Sequence, residues 1–339
     1  MVVPVSFLSP HAMTANDSAE IGIDAQVPAD DLPPVAVRRR RVRLPVVLFI
    51  LTVLSTFWVG AMLWRPMEIL LLTPANVMSA EYLDQFMPVR ESMLENWRDG
   101  LIYSCCLLAI LFFHEMGHFL ATVRYRIPAS YPFFIPLPIT PIGTMGAVIG
   151  MDGMRANRKE MFDIGIAGPL AGLIVAIPVM WVGIKELSFT GAPGSMRYHL
   201  PLAVEWIMNA VPLEGYNGED YVAVGHMNPY FMAGWVGLLI TGVNMLPVSQ
   251  LDGGHVTYTL YGRGAHWLAR GFMVLVIAYV VYSLAHVWML MIILVMLIGT
   301  DHPPTYDDSV RLGWFRYTIG SLSMLIPILC FPPKAISMP

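Results

Sequence analysis

Long apolar runs alternate with basic or turn-forming stretches along most of the chain. The runs that come nearest to the length of a membrane-spanning helix are Leu44–Trp64, Leu101–Val123, Phe162–Gly183, Pro229–Leu246, Gly271–His286, Val287–Thr300 and Leu312–Phe331. A helix needs about 20 predominantly apolar residues to cross a bilayer. The pattern therefore predicts an all-α polytopic membrane protein with about six or seven transmembrane helices. The runs after Trp267 are the least regular of the set.

One apolar stretch does not fit a helix. Residues 128–153 contain Pro-Phe-Phe-Ile-Pro-Leu-Pro followed by Gly-Thr-Met-Gly-Ala-Val-Ile-Gly. Prolines and glycines at this density prevent a spanning helix. Non-helical backbone at membrane depth is tolerated only where protein or a wet cavity covers it. We therefore predict a small re-entrant or β segment packed beside the helices.

The distribution of charge predicts an orientation. A cluster of arginines at residues 38–43 runs directly into the first apolar run, and Arg124 and Arg126 follow the second. The positive-inside rule places these residues, and with them the N-terminus, in the cytoplasm. A nucleic-acid patch is the rival interpretation of an arginine cluster, but the position of this one at a membrane boundary argues against it.

Composition agrees with a membrane protein and helps to divide the chain. Hydrophobic residues make up 56% of the sequence and charged residues 13%, the mean hydropathy is +0.60, and the net charge of −4 does not suggest a nucleic-acid partner. We predict a disordered cytoplasmic tail at 1–37, a first transmembrane helix and outer loop at 38–100, a catalytic membrane core at 101–305 and a C-terminal hydrophobic segment and tail at 306–339.

The acidic residues of the predicted N-terminal tail distinguish it from an organelle transit peptide, which is poor in acidic residues. A prokaryotic cytoplasmic membrane is therefore the expected location of this multi-pass protein.

The chemistry of the chain centres on His114-Glu115-Met116-Gly117-His118 in the second apolar run. Residues four apart share one face of a helix, so His114 and His118 can present two imidazoles to one metal ion. Glu115 lies beside them as a candidate base. His-Glu-x-x-His is the signature of zinc metalloproteases. Packed core histidines are the alternative.

A catalytic zinc site commonly has three protein ligands, and the best candidate for the third is Asp252. It stands in Asn-Met-Leu-Pro-Val-Ser-Gln-Leu-Asp-Gly-Gly, residues 244–254. A charged group in an apolar stretch is costly unless it is paired or bound to metal. Pro247 and the pair Gly253-Gly254 are expected to break the helix and to let the backbone approach another element. A helix cap is the alternative role for Asp252.

The two motifs together resemble the active-site motifs of the site-2 proteases, the intramembrane zinc metalloproteases of peptidase family M50. The resemblance extends over residues 101–305 and includes Gly-Thr-Met-Gly-Ala-Val, Phe-Asp-Ile-Gly-Ile-Ala-Gly-Pro-Leu-Ala-Gly and His-Pro-Pro-Thr, which resemble the bacterial, archaeal and plastid members. No stretch is patterned as the PDZ domain that many bacterial members carry, so the chain is most similar to the branch that lacks one.

This resemblance implies an intramembrane zinc endopeptidase that cleaves transmembrane or membrane-anchored proteins in regulated proteolysis. It implies that His114, His118 and Asp252 hold one Zn²⁺ per chain and that Glu115 is the base. It also implies that Asn244 supplies an amide that orients a ligand or stabilises the transition state. The expected partners are a membrane-spanning protein substrate and the lipid bilayer. The residues of Gly143–Gly150 could offer a strand edge to an unwound substrate.

Several alternatives stay open at this point. Asn244 could satisfy a broken backbone near Pro247. His255 is expected to have a structural or supporting role, and His302 with the two prolines that follow is expected to form a turn at the membrane surface. The alternative function is that of a non-proteolytic zinc-binding or zinc-transporting membrane protein. A carrier would need ionisable residues along several spans, whereas here they collect at one point.

Overall fold

The computed structural model describes residues 2–3, 42–67, 87–194, 196–283 and 288–338. In chain order the helices are α1 (Arg43–Ala61), α2 (Met87–Glu95), α3 (Trp97–Arg124), α4 (Arg158–Lys185), α5 (Leu202–Ala210), α6 (Pro229–Asn244), α7 (Asp252–Tyr261), α8 (Gly264–Ser283), α9 (Met289–Ile298), α10 (Trp314–Ser323) and α11 (Ile326–Cys330). The chain is thus mostly helical, as predicted.

Within the described ranges, four helices are long and apolar enough to cross a membrane, namely α1, α3, α4 and α8. The predicted number of six or seven spans is therefore not confirmed. The reason is visible in α6, which has 16 residues and so extends for about 24 Å, less than a bilayer core. The last predicted run, Leu312–Phe331, is divided between the short helices α10 and α11.

The core consists of α3, α4 and α6, with α1 packed on α3. Small residues allow these helices to approach closely. A Cβ atom at Gly117 of α3 would lie 2.4 Å from the Ala167 carbonyl oxygen of α4, and one at Gly234 of α6 would lie 2.7 Å from the Met180 Cα of α4. Such contacts are typical of helix interfaces in membranes, where close van der Waals packing replaces the hydrophobic effect as the driving force.

The predicted non-helical segment forms a β-hairpin. Strand β2 (Phe133–Leu137) pairs in antiparallel fashion with β3 (Gly143–Gly150), and β1 (Val2–Val3) adds in parallel to the other edge of β3. The hairpin lies against α1 and α3. The Ser55 hydroxyl of α1 donates a hydrogen bond to the Gly143 carbonyl, and the Tyr103 hydroxyl of α3 donates one to the Ile142 carbonyl. The helices therefore fix one end of β3.

A second, smaller sheet joins two strands between α4 and α6 to one strand near the C-terminal end of the described residues. It has the order β5–β4–β6, with β4 at Arg197–His199, β5 at Tyr221–Ala223 and β6 at Ile336–Ser337. The apolar pattern did not predict this sheet, because strands of two or three residues are too short to show an alternation. The predicted tail at 1–37 lies outside the described residues except for Val2 and Val3, and the division of the chain into four parts stays a prediction.

Candidate metal centre

Helix α3 brings the two histidines of the His-Glu-x-x-His motif to one buried face. His114 is 2% exposed and His118 is 0% exposed. Their spacing of four residues stacks the side chains one turn apart, and the two Nε2 atoms lie 3.3 Å from each other. Both imidazoles therefore face the same point.

Asp252 reaches the histidines because the chain turns sharply between α6 and α7. The α-helix ends at Asn244, and a new helix begins at Asp252. The helix is broken in this stretch, as predicted, and Pro247 lies in the break, whereas Gly253 and Gly254 lie in the first turn of α7. The expected close approach of the backbone is present: a Cβ atom at Gly253 would lie 2.0 Å from the Met245 carbonyl oxygen. The glycines thus allow the start of α7 to fold back against the end of α6.

The three predicted ligand atoms form a nearly equilateral triangle. The Asp252 Oδ2 atom lies 3.2 Å from His114 Nε2 and 3.3 Å from His118 Nε2, which matches the 3.3 Å between the two histidine nitrogens. A tetrahedral zinc ion with bonds of about 2.0–2.1 Å requires ligand atoms about 3.3 Å apart. The separations therefore fit a tetrahedral ion with one position left for water or substrate.

Two further features of the site fit a metal ion. The His118 Nδ1 atom lies 2.8 Å from the Ile164 carbonyl oxygen. A carbonyl only accepts hydrogen bonds, so Nδ1 carries the proton and Nε2 keeps the lone pair that a metal needs. The Asp252 Oδ1 atom is buried and has no hydrogen-bond partner among the described residues, an arrangement that is costly for a carboxylate that binds nothing.

Helix α4 forms the floor of the site. A Cβ atom at Gly168 would lie 2.0 Å from the His118 Nε2 atom, and one at Gly172 would lie 3.2 Å from the His114 ring. The contact of Gly168 and Gly172 with the imidazoles was not predicted from the sequence. The signal in the sequence was the spacing of four between these glycines, which equals the spacing of the two histidines.

The structure also brings Glu115 and Asn244 to the site. Glu115 is 1% exposed and interacts electrostatically with both His114 and His118. The Asn244 side chain, at the end of α6, lies with its Nδ2 atom 3.3 Å from His114 Nε2. An amide donor and a carboxylate thus adjoin the ligand atoms, and the three candidate ligands with these two side chains make one buried group.

His255 and His302 form a pair immediately beyond this group. His302 lies in the loop after α9, and its side chain is buried (5% exposed) with its Nε2 atom 2.5 Å from His255 Nδ1. The predicted turn at the membrane surface stays a prediction. Burial lowers the pKa of His302 to about 4, so its ring is neutral at pH 7.

Comparison with known proteins gives a consistent picture. The model of Peptidase family M50 matches residues 102–287. An Arabidopsis thaliana protein named "Probable zinc metalloprotease EGY1, chloroplastic" is 30% identical over 235 residues, which cover 67% of this chain and 42% of that protein. The protein of the same name in Oryza sativa subsp. japonica is 37% identical over 166 residues, or 47% of this chain and 28% of that protein.

The Arabidopsis thaliana protein named "Probable zinc metalloprotease EGY2, chloroplastic" is 30% identical over 173 residues, half of this chain and 30% of its own length. The chain thus spans less than half the length of these curated relatives. No solved structure matches it. Residues 102–287, which the family model matches, include the His-Glu-x-x-His motif, the floor helix α4 and the turn with Asp252.

Proposed function

Because this chain belongs to peptidase family M50, we propose that it is an intramembrane zinc endopeptidase that cleaves membrane-spanning or membrane-anchored protein substrates. The observation that carries this proposal is the buried triangle of His114, His118 and Asp252 ligand atoms. Two of the three residues, His114 and His118, lie on α3, which is long and apolar enough to cross a membrane. An active site at that depth fits a peptide bond that lies within the bilayer.

The residues of the site can be given roles. His114, His118 and Asp252 would hold the zinc ion, which when bound supplies a Lewis acid that lowers the pKa of water to about 7 and polarises a carbonyl. Glu115 would accept the proton of the attacking water and deliver it to the leaving amine. Asn244 would donate a hydrogen bond to the oxygen on which negative charge develops.

The substrate must present an extended backbone, because a helix hides its amides in its own hydrogen bonds. Strand β3 supports a way to hold that backbone. Its one edge is paired with β2, and its other edge is paired with β1 only at Ile149 and Gly150. Among the described residues no strand pairs with this edge from Gly143 to Val148. We propose that the unwound substrate adds a strand there, as in other β-augmentation complexes.

The distribution of basic residues supports a particular orientation of the chain in the membrane. His118 lies six residues before the C-terminal Arg124 of α3, so it is about 9 Å from that helix end. Arg126, Arg155 and Arg158 lie on the segments that follow. We propose that this basic side, and the N-terminus, face the cytoplasm of a prokaryotic cell, and that water enters the site from there. The stroma is the equivalent side in a plastid, the compartment named for the relatives.

The experiment that tests the proposal uses purified protein and a panel of single-span substrates in detergent or vesicles. Cleavage inside the spanning segment, lost with a chelator and restored by Zn²⁺, is the expected result. Bound zinc without cleavage of any substrate would favour a zinc-binding or zinc-transporting protein instead. Reporter fusions before α1 and after α4 test the orientation independently.

A further inference from the structure

The pair of His255 and His302 connects the metal centre to the loop that follows α9. His255 lies one turn after Asp252 on α7 and is 3% exposed. A Cβ atom at Gly165 of α4 would lie 2.9 Å from the His255 Cβ and 3.4 Å from the Asp252 carbonyl oxygen. Gly165 directly follows Ile164, whose carbonyl holds His118. His255 therefore packs against the same point of α4 that orients His118 and lies close to the Asp252 backbone.

The hydrogen bonds determine where the protons of the pair lie. The His302 Nδ1 atom is hydrogen bonded to the Pro303 carbonyl, which can only accept, so Nδ1 carries the proton. The ring of His302 is neutral at pH 7, because burial lowers its pKa to about 4. Its Nε2 atom is then an acceptor, and the His255 Nδ1 atom, 2.5 Å away, must be the donor.

This assignment determines the protonation state of His255. Its Nδ1 atom carries a proton, and its Nε2 atom is buried without a hydrogen-bond partner among the described residues. A second proton would make a buried cation with no hydrogen-bond acceptor for Nε2 among the described residues, which is unfavourable. The Nε2 atom therefore keeps its lone pair, and His255 is in the neutral Nδ1–H tautomer.

The ring of His302 is itself held firmly. Tyr258 stacks on it with ring centroids 4.5 Å apart, and the His266 Nε2 atom lies 3.1 Å from its carbonyl oxygen. The Tyr258 hydroxyl donates to the Asp308 carboxylate at 2.7 Å, and the Thr305 hydroxyl donates to the same carboxylate at 2.6 Å. The loop after α9 thus fixes the His302 Nε2 atom, which accepts the hydrogen bond of His255.

We propose that His302 is a positioning residue of the metal centre. By accepting the hydrogen bond of His255 it fixes the tautomer of that ring and the orientation of the first turn of α7, which presents Asp252. The proposal rests on the zinc site proposed above and extends it to a residue 50 positions beyond Asp252.

Two substitutions at the same position separate hydrogen bonding from packing. His302→Phe keeps a ring that can stack on Tyr258 but removes the acceptor. His302→Gln removes the ring but places an amide oxygen near the position of Nε2. Loss of a supporting partner of this kind lowers metal affinity by about 10- to 100-fold. We expect that loss for H302F and a value within about threefold of the wild type for H302Q. Zinc affinity is measured by competition with a chromophoric chelator.

Nitrogen NMR of protein labelled with ¹⁵N-histidine gives a second readout, because the two neutral tautomers have distinct ring-nitrogen shifts. The His255 signal is assigned by its absence in His255→Gln. We expect the Nδ1–H tautomer in the wild type and in H302Q, and its loss in H302F. His226→Phe is the control, since His226 also bonds a backbone carbonyl, that of Gly191, but in an exposed loop. It should leave both readouts unchanged.

Two outcomes overturn the proposal. One is wild-type zinc affinity in H302F with His255 still in the Nδ1–H form, which would show that His255 needs no acceptor at His302. The other is an equal loss of affinity in H302F and H302Q, which would show that packing of the ring is what matters. Failure of the wild-type protein to bind zinc would instead remove the proposed function, before any variant is compared.

Discussion

Glu115 is the only described carboxylate next to the candidate ligands that is not itself a ligand candidate. Glutamine has nearly the same shape but cannot accept a proton, so Glu115→Gln should keep the fold and the bound zinc. We expect kcat to fall by about 10²- to 10⁴-fold, the range for removal of a general base. Zinc content by elemental analysis and cleavage of a single-span substrate are measured on the same preparation.

Glu95→Gln is the matched control for this substitution, because Glu95 is exposed on α2. It should leave both zinc content and kcat at wild-type values. Efficient cleavage by the Glu115→Gln protein would exclude Glu115 as the base and would direct attention to another proton acceptor.

Gly168 permits a graded test of the floor of the site. A methyl group there would lie 2.0 Å from the His118 Nε2 atom, at Gly172 it would lie 3.2 Å from His114, and at Gly271 of α8 it would meet nothing within 4 Å. Overpacking of this kind typically costs about 1–3 kcal/mol. We therefore expect zinc affinity to fall strongly in Gly168→Ala, weakly in Gly172→Ala and not at all in Gly271→Ala.

Competition with a chelator measures all three alanine variants, and thermal unfolding of the zinc-free proteins shows whether the helices still pack. Equal zinc affinity in Gly168→Ala and Gly271→Ala would contradict the position of His118 against α4. It would also weaken the triangle of ligand atoms on which the proposed function depends.

Strand β3 is the element on which the proposed capture of substrate depends. Successive N–H groups of a strand point to opposite edges, so proline at Ala147 and proline at Val148 remove donors from different sides of β3. The proline that removes an N–H group facing β2 should weaken the hairpin. The proline that removes an N–H group facing the opposite edge should leave the fold intact and lower kcat/KM by about tenfold, as expected for one lost backbone hydrogen bond of about 1.4 kcal/mol.

Ala147→Gly and Val148→Ala, which retain the N–H groups, are the controls for this pair. Cleavage rates over a range of substrate concentrations, together with thermal unfolding, separate the two effects. Unchanged kcat/KM in both proline variants would remove β3 from substrate binding while leaving the metal centre as described.

The sequence predicted the features that depend on local chain geometry or on the high free-energy cost of an unpaired charge in an apolar stretch. The pairing of His114 with His118 follows from helix geometry alone, and the non-helical character of Gly143–Gly150 follows from the prolines and glycines of residues 128–153. Asp252 was found although it lies 138 residues from His114, because a carboxylate in an apolar stretch demands a partner.

Other features depended on three-dimensional packing that no local pattern records. The burial of His302 arises from its contact with His255 and Tyr258, which lie more than 40 residues earlier in the chain. The sheet of β4, β5 and β6 joins very short segments from distant parts of the sequence. Helix α6 is apolar enough for a span, but only the structure shows that it ends after 16 residues.

For the whole molecule, the chemistry is concentrated at one buried point. Within the described residues, one group of histidine and acidic side chains can hold a metal ion, and all of its members are buried. A zinc carrier requires successive sites along its path, whereas an enzyme requires one well-formed site with a base beside it. The arrangement of His114, His118, Asp252 and Glu115 therefore favours catalysis over transport.

The most direct test of this account is the cleavage of a single-span protein by the purified chain in lipid vesicles. Mass spectrometry of the products locates the cut. The account predicts a cut within the spanning segment that stops with a chelator, returns with Zn²⁺ and is absent in the Glu115→Gln protein. Stoichiometric zinc in the wild-type protein, with no chelator-sensitive cleavage of any substrate in the panel, would contradict it.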